Sequence, residues 1–115
     1  MDKPTKHKYN AKPTTVDGIK FPSQKEATRW QQLRLMERAG EIRNLRRQVA
    51  IKLIGQNAPI LTATGRAMKL TIDFAYEDKR LNWAEVYEES KGKRTRDYDV
   101  RLAVAQAMGV EVKHT

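Results

Sequence analysis

Three consecutive stretches with the pattern of β-strands, enclosed by two helical stretches, constrain the fold of this chain most strongly. In Arg46 to Ile54 and in Met68 to Tyr76 the apolar residues alternate with polar or small ones, and Asn82 to Lys91 is predicted as a third strand. Consecutive strands joined by turns most simply form a meander. The sequence therefore predicts a three-stranded antiparallel unit between residues 46 and 91.

The helix before these strands is marked at both ends. Ser23 to Glu26 match a capping box, with Ser23 as the N-cap and Glu26 at the third helical position, and Gly40 is suited to end the helix. An apolar stripe runs between the two ends at steps of three residues and consists of Ala27, Trp30, Leu33, Met36 and Ala39. One face of this helix is therefore expected to pack on the sheet.

A second helix is predicted over Asp97 to Met108 and ends at Gly109. Val110 to Val112 can then add one short strand, in parallel because a helix precedes it. The order helix, three-stranded meander, helix, strand predicts an α/β (α+β) fold with a mixed sheet flanked by helices. The length fits one domain, which we assign to residues 17–115, and residues 1–16 form a flexible basic arm. Asp17-Gly18 is a favourable hairpin turn.

The charge of the chain is positive and uneven. The net charge is +9, and residues 1–52 hold 13 Lys and Arg against 5 Asp and Glu. A basic arm and first helix predict binding to nucleic acid, with ribosomal-type or membrane-surface binding as the alternatives. The expected phosphate contacts are Lys8, Lys12, Arg29, Arg34, Arg46, Arg47, Lys93, Arg94 and Arg96.

Composition excludes several kinds of site. The chain has no cysteine, which excludes a disulfide scaffold, a zinc–thiolate site and a cysteine nucleophile. Its two histidines, His7 and His114, lie near the termini and do not suit a histidine cluster or a catalytic triad. No apolar run approaches the roughly 20 residues of a membrane span, and the N-terminus lacks the apolar stretch of a signal peptide. We therefore expect a cytoplasmic protein without membrane association.

Acidic residues near the ends of two predicted strands are the candidates for chemistry. Asp73 lies on the second strand, and Glu89 and Lys91 share one face of the third. If the strands pair, two carboxylates meet, and Mg²⁺ would remove their repulsion because it prefers hard oxygen ligands. Lys91 could then orient an attacking water or stabilise charge on phosphate oxygens. The pattern predicts a metal-dependent nuclease, although acids and lysines on a strand are also typical of a solvated sheet face.

Glu26 and Gln48 each have two interpretations. Glu26 can accept a hydrogen bond from the N-cap amide, or it can reach the metal site because its helix packs on the sheet. Gln48 can be a polar residue on an edge strand, or it can contact a phosphate or a metal-bound water. The sequence leaves both pairs of interpretations open.

With these residues in place, the chain resembles the PD-(D/E)XK nuclease superfamily, which has the restriction-endonuclease-like fold. The resemblance is carried by Asp73 on the second strand and by Glu89-Ser90-Lys91 on the third. More narrowly, the chain resembles a small phage and prophage family related to Holliday junction resolvases. The matching segments are Lys8-Tyr9-Asn10-Ala11-Lys12, Val16-Asp17-Gly18-Ile19, Ser23-Gln24-Lys25-Glu26-Ala27, Ala39-Gly40-Glu41-Ile42 and Gln48.

The resemblance implies a role for each matching residue. Asp73 corresponds to the first acidic metal ligand, Glu89 and Lys91 to the acid and the lysine of the D/E-x-K element, and Glu26 to the acid on the first helix that completes the metal site. Gln48 matches a glutamine associated with the small family. The chain departs from these families at three positions: Ile72 replaces the superfamily's proline, and Glu89 and Ser90 replace the aspartate and the apolar residue that the small family favours.

The resulting prediction is a DNA endonuclease that uses Mg²⁺, with Mn²⁺ as a substitute, and holds one or two ions with Asp73, Glu89 and Glu26. One small domain has little surface for reading bases, so branched or Holliday-junction DNA is the expected substrate, and a two-fold homodimer would suit a four-way junction. We expect a role in phage recombination, replication or packaging inside a bacterial host cell. The alternatives are a non-catalytic nucleic-acid-binding or accessory protein of the same fold, and a partner-binding subunit of a larger complex.

Overall fold

The computed structural model describes residues 12–90 and 94–115 of the chain. Its main sheet has four strands in the order β3-β4-β5-β6, and a separate hairpin is formed by two short strands. The elements are β1 (Thr14–Val16), β2 (Ile19–Phe21), α1 (Gln24–Arg38), β3 (Ile42–Lys52), β4 (Lys69–Asp78), β5 (Ala84–Glu89), α2 (Arg96–Ala107) and β6 (Val112–His114). The predicted α/β class and the order helix, three strands, helix, strand are confirmed.

The strand pairings also follow the prediction. β3 pairs with β4, and β4 with β5, both antiparallel, so the three strands form a meander. β6 follows α2 and pairs in parallel with β5. Neither helix in the described part of the chain has the length and apolar character needed to span a bilayer.

Several predicted boundaries were wrong. β3 begins at Ile42 instead of Arg46, because a register shift between Arg43 and Arg46 interrupts the alternation there. β4 continues through Asp78 instead of ending at Tyr76, and a short 3-10 turn at Lys79–Leu81 follows it. β1 lies within the predicted arm and pairs with β2 across Asp17-Gly18, where both residues have positive φ. Residues 1–11 of that arm lie outside the described residues.

Helix α1 has the ends that the sequence predicts. The Ser23 hydroxyl accepts a hydrogen bond of 3.1 Å from the Glu26 amide. At the other end Gly40 has φ 78°, and the Glu41 amide donates to the Met36 carbonyl at 3.0 Å. This six-to-one bond beyond a left-handed glycine is typical of a Schellman-type helix end.

Replacing Gly40 with alanine is expected to lower the free energy of unfolding by about 1 kcal/mol. A Cβ atom at this position would meet nothing within 4 Å, so the cost is the left-handed backbone alone and not a steric clash. Urea unfolding of the variant measures the change. Gly55→Ala is a suitable comparison, because Gly55 has no positive φ and a Cβ atom there would be in ordinary contact with its neighbours; an equal loss in both variants would contradict this explanation.

Two apolar clusters hold the fold together. The first lies under α1 and comprises Phe21, Ala27, Trp30, Leu33, Ile42, Phe74 and Tyr76. The second lies under α2 and comprises Leu53, Leu70, Ile72, Tyr98, Leu102 and Ala105. On β5, Val86 packs against the first cluster and its neighbour Tyr87 against the second. Because adjacent residues of a strand point to opposite faces, the two helices cover opposite faces of the sheet.

The core-facing side of the sheet changes in the middle of β4. Leu70 and Ile72 pack under α2, whereas Phe74 and Tyr76 pack under α1. The alternation of apolar residues over Met68 to Tyr76 predicts a single apolar face for this strand, and that prediction was wrong. The change occurs at Asp73, next to Gln48 on β3, whose φ of 51° breaks the regular strand conformation. The interruption places Asp73 where neither apolar cluster covers it.

Candidate active site

Asp73 is held at this interruption by two polar contacts. Its side chain is buried, with a relative exposure of 8%. One carboxylate oxygen, Oδ2, accepts a hydrogen bond of 2.8 Å from the Ser90 amide, and the other, Oδ1, lies 3.5 Å from Nε2 of Gln48. Both contacts come from neutral groups, so the position of the carboxylate is fixed without a neighbouring positive charge in either contact.

Glu89 lies at the end of β5 and is fully buried. Its Oε1 accepts a hydrogen bond of 3.0 Å from the backbone amide of Asp73. The expected proximity of Asp73 and Glu89 is therefore confirmed, and the contact joins the backbone of one residue to the side chain of the other. The neighbouring Glu88 points toward α1, as the alternation predicts.

Glu26 reaches the same region from α1. Its Oε2 lies 3.5 Å from Nε2 of Gln48 and 3.7 Å from a guanidinium nitrogen of Arg47. Oε2 of Glu26 and Oδ1 of Asp73 each lie 3.5 Å from Nε2 of Gln48. The distance between these two oxygens is therefore at most twice 3.5 Å. The Glu26 side chain thus contacts β3, and its backbone amide donates to the N-cap hydroxyl of Ser23, whereas its role at a metal site stays a prediction.

Three buried carboxylates, carried by α1, β4 and β5, therefore lie around Gln48 and the backbone of Asp73. Burial of several carboxylates in one region is costly unless positive charge or hydrogen bonds offset it. Oxygen donors of this kind are those that Mg²⁺ and Mn²⁺ prefer, so the donor set of Glu26, Asp73 and Glu89 fits such an ion. Within residues 12–90 and 94–115, no three acidic or histidine side chains lie close enough together to hold an ion as a group. Lys91 lies outside the described residues.

Comparison with known proteins places the chain in a family. The family whose description reads "Protein of unknown function (DUF1064)" matches residues 6–115. The chain belongs to this family. No curated protein and no solved structure matches it.

The sequence of this DUF1064 chain did not indicate the role of Glu88, which is fully buried beside the three acids. Arg29 of α1 donates two hydrogen bonds to its carboxylate, at 2.5 and 3.0 Å, and the Tyr76 hydroxyl donates a third at 2.7 Å. Burial and the bond to Glu88 raise the pKa of Tyr76 far above its usual value. A charged residue on a predicted strand gave no signal that it would be buried, because its partner is 59 residues away.

The basic residues predicted to contact phosphates lie in different surroundings. Lys12 and Arg96 are exposed, whereas Lys8 and Lys93 lie outside the described residues. Five others already contact side chains of the DUF1064 chain: Arg29 contacts Glu88, Arg34 contacts Asp17, Arg46 contacts Glu85, Arg47 stacks on Phe21 and Arg94 contacts Asp99. Ion pairs at the surface are weak, so those of Arg34, Arg46 and Arg94 can be exchanged for phosphate.

Tyr98 of α2 is expected to make the stability of the protein depend on pH in alkaline solution. Burial, and then the negative charge of Glu89, raise its pKa to about 12. Because the folded pKa exceeds the unfolded value of about 10, the stability that this residue contributes is complete below pH ~10 and is lost as the pH rises toward 12. We expect the free energy of unfolding of the parent to fall between pH ~10 and ~12 by on the order of 1 kcal/mol more than that of Tyr98→Phe. Urea unfolding of both proteins at the two pH values measures the difference. Parallel curves for the two proteins would contradict it.

Proposed function

We propose that this chain is a metal-dependent endonuclease that hydrolyses phosphodiester bonds in DNA. The proposal is carried by one observation: three carboxylates from three different elements, Asp73, Glu89 and Glu26, are buried in the same region around Gln48 and the backbone of Asp73. Burying several acids in one region costs free energy. Features that oppose stability are common at functional sites.

Asp73, Glu89 and Glu26 would hold Mg²⁺ or Mn²⁺, which would polarise the scissile phosphate and lower the pKa of an attacking water. The protein prepares this site through its backbone. The Ser90 amide orients the carboxylate of Asp73, and the Asp73 amide orients that of Glu89. Groups held by backbone hydrogen bonds lose little freedom when a ligand arrives, which is how a preorganised site works. Lys91, directly after Ser90 in the sequence, would stabilise charge that develops on the phosphate oxygens.

DNA is the proposed substrate because of the positive charge of the chain. A net charge of +9, concentrated in residues 1–52, favours binding to a phosphate backbone without reading bases. A small domain that contacts mainly phosphates would distinguish DNA by its shape, so we propose branched or four-way-junction DNA and a homodimer with two-fold symmetry. The corresponding setting is phage recombination, replication or packaging in the cytoplasm of a bacterial host.

The proposal is tested by incubating the protein with plasmid, single-stranded and four-way-junction DNA in the presence of EDTA, Mg²⁺ or Mn²⁺. We expect cleavage with either cation and none with EDTA, and faster cleavage of the junction than of linear duplex. Salt-sensitive DNA binding without cleavage under any cation would favour the non-catalytic alternative. A tight complex with another protein and weak DNA binding would favour the accessory-subunit alternative.

A further inference from the structure

Gln48 adopts a backbone conformation that its residue type does not favour. It lies within β3 with a φ of 51°, in the left-handed region. Among the residues that the structure describes, the other non-glycine residues with positive φ are Asp17, Asn44, Asn57, Asn82 and Trp83, and all but Trp83 belong to types that tolerate this region. A glutamine at such a position persists only when other contacts hold it there, and conformations of this kind cluster at functional sites.

The contacts of its side chain indicate what holds it. Nε2 lies 3.5 Å from Oε2 of Glu26 and 3.5 Å from Oδ1 of Asp73. Ionised carboxylates only accept hydrogen bonds, so the amide presents its NH₂ group to both. Both distances are at the long limit for a hydrogen bond, which makes the contact a loose one. The amide therefore lies between the two acids without closing the gap between them.

We propose that Gln48 is a positioning residue that acts in two ways. In the metal-free protein its NH₂ group lies between Glu26 and Asp73 and reduces the repulsion between them. When a divalent cation is bound, the same amide turns and offers its carbonyl oxygen as an additional neutral ligand. The second role rests on the proposed function, whereas the first depends only on the contacts of the three side chains.

Two substitutions at this position separate the two roles. Gln48→Met keeps the length of the side chain and the strained φ but removes both the NH₂ donor and the oxygen. Gln48→Glu keeps an oxygen but brings a third negative charge to Glu26 and Asp73. The readouts are the melting temperature in EDTA and the concentration of Mn²⁺ at which half of the metal-dependent rise in melting temperature is reached.

We expect the two variants to differ from the parent in opposite directions once the metal is added. In EDTA the melting temperature falls by about 4 °C in Gln48→Met and by more in Gln48→Glu, because the added carboxylate repels the other two. The half-rise concentration of Mn²⁺ increases about tenfold in Gln48→Met and decreases in Gln48→Glu. Lys20→Met on β2, an exposed position away from the acids, is the control and should match the parent in both measurements.

Three outcomes would overturn the inference. Gln48→Glu as stable as the parent in EDTA would mean that the amide does not separate the acids. Gln48→Met with the parent's Mn²⁺ concentration, or a parent without any Mn²⁺-dependent rise, would remove the ligand role. These outcomes differ from failure of the proposed function, which would appear as a parent that responds to Mn²⁺ as expected but cuts no DNA.

Discussion

Asp73→Asn is expected to lower the rate of DNA cleavage in Mg²⁺ by about a thousandfold, while binding of the same DNA in EDTA persists. The substitution removes a charge from the proposed metal site, where transition-state stabilisation of several kcal/mol is at stake, and about 4 kcal/mol corresponds to that factor. Asparagine retains an oxygen that can accept the Ser90 amide, so the local fold should be kept. Single-turnover cleavage of junction DNA measures the rate, and a gel-shift titration measures binding.

Asp17→Asn is the matched control for this variant. It makes the same change in charge at an exposed turn, and asparagine suits the positive φ of that residue. The control should cut DNA at the parental rate. If Asp73→Asn cuts as fast as the control, Asp73 takes no part in cleavage and the proposed endonuclease loses its central residue. Loss of DNA binding in Asp73→Asn alone would assign the residue to binding instead.

The elements that the sequence predicted well are those whose signals are local. Ser23 and Gly40 mark the two ends of α1 because capping depends on residues within one or two turns. Asp17-Gly18 marks the hairpin for the same reason. The proximity of Asp73 and Glu89 needed one additional assumption, that consecutive strands pair, and short connections make such pairing the common outcome.

The features that the sequence could not supply depend on contacts between distant segments. The change of face at Asp73 lies next to Gln48 on β3, whose φ of 51° is in the left-handed region, and a glutamine gives no indication of that conformation. The alternating pattern of β4 therefore predicted one continuous core face where the protein has two. Glu88 is a second case, since its burial is compensated by Arg29 on α1 and no local pattern links the two residues.

The same contrast between local and distant signals explains why the acids were identified more easily than their environment. Residue types that bind metal are recognisable in the sequence, because few side chains supply hard oxygen ligands. The polar groups that orient them are mostly backbone amides, such as those of Asp73 and Ser90, which are present at nearly every position and carry no signal.

Arg29→Met is expected to lower the free energy of unfolding by about 3 kcal/mol, the largest effect on stability that we predict. The substitution keeps most of the side-chain volume, but it removes two hydrogen bonds from the fully buried carboxylate of Glu88 and leaves it the hydroxyl of Tyr76. Urea unfolding measures the change, and the melting temperature should fall by about 12 °C or more. Arg34→Met, a loss of charge at a half-exposed position of the same helix, should cost less than about 1 kcal/mol.

Two further variants show whether the buried charge causes this loss. In Glu88→Gln the guanidinium of Arg29, which is 19% exposed, can turn toward water, so the cost should be only about 1 kcal/mol. The double variant Arg29→Met/Glu88→Gln removes both charges and keeps an acceptor for Tyr76, so it should be more stable than Arg29→Met alone. If the double variant is instead the least stable, packing of the arginine stem holds α1 on the sheet and the ion pair does not. Arg29 lies one helical turn after Glu26, so a loss of the ion pair that loosens this part of α1 should also displace Glu26. We therefore expect Arg29→Met to lower the rate of DNA cleavage more than Glu88→Gln does.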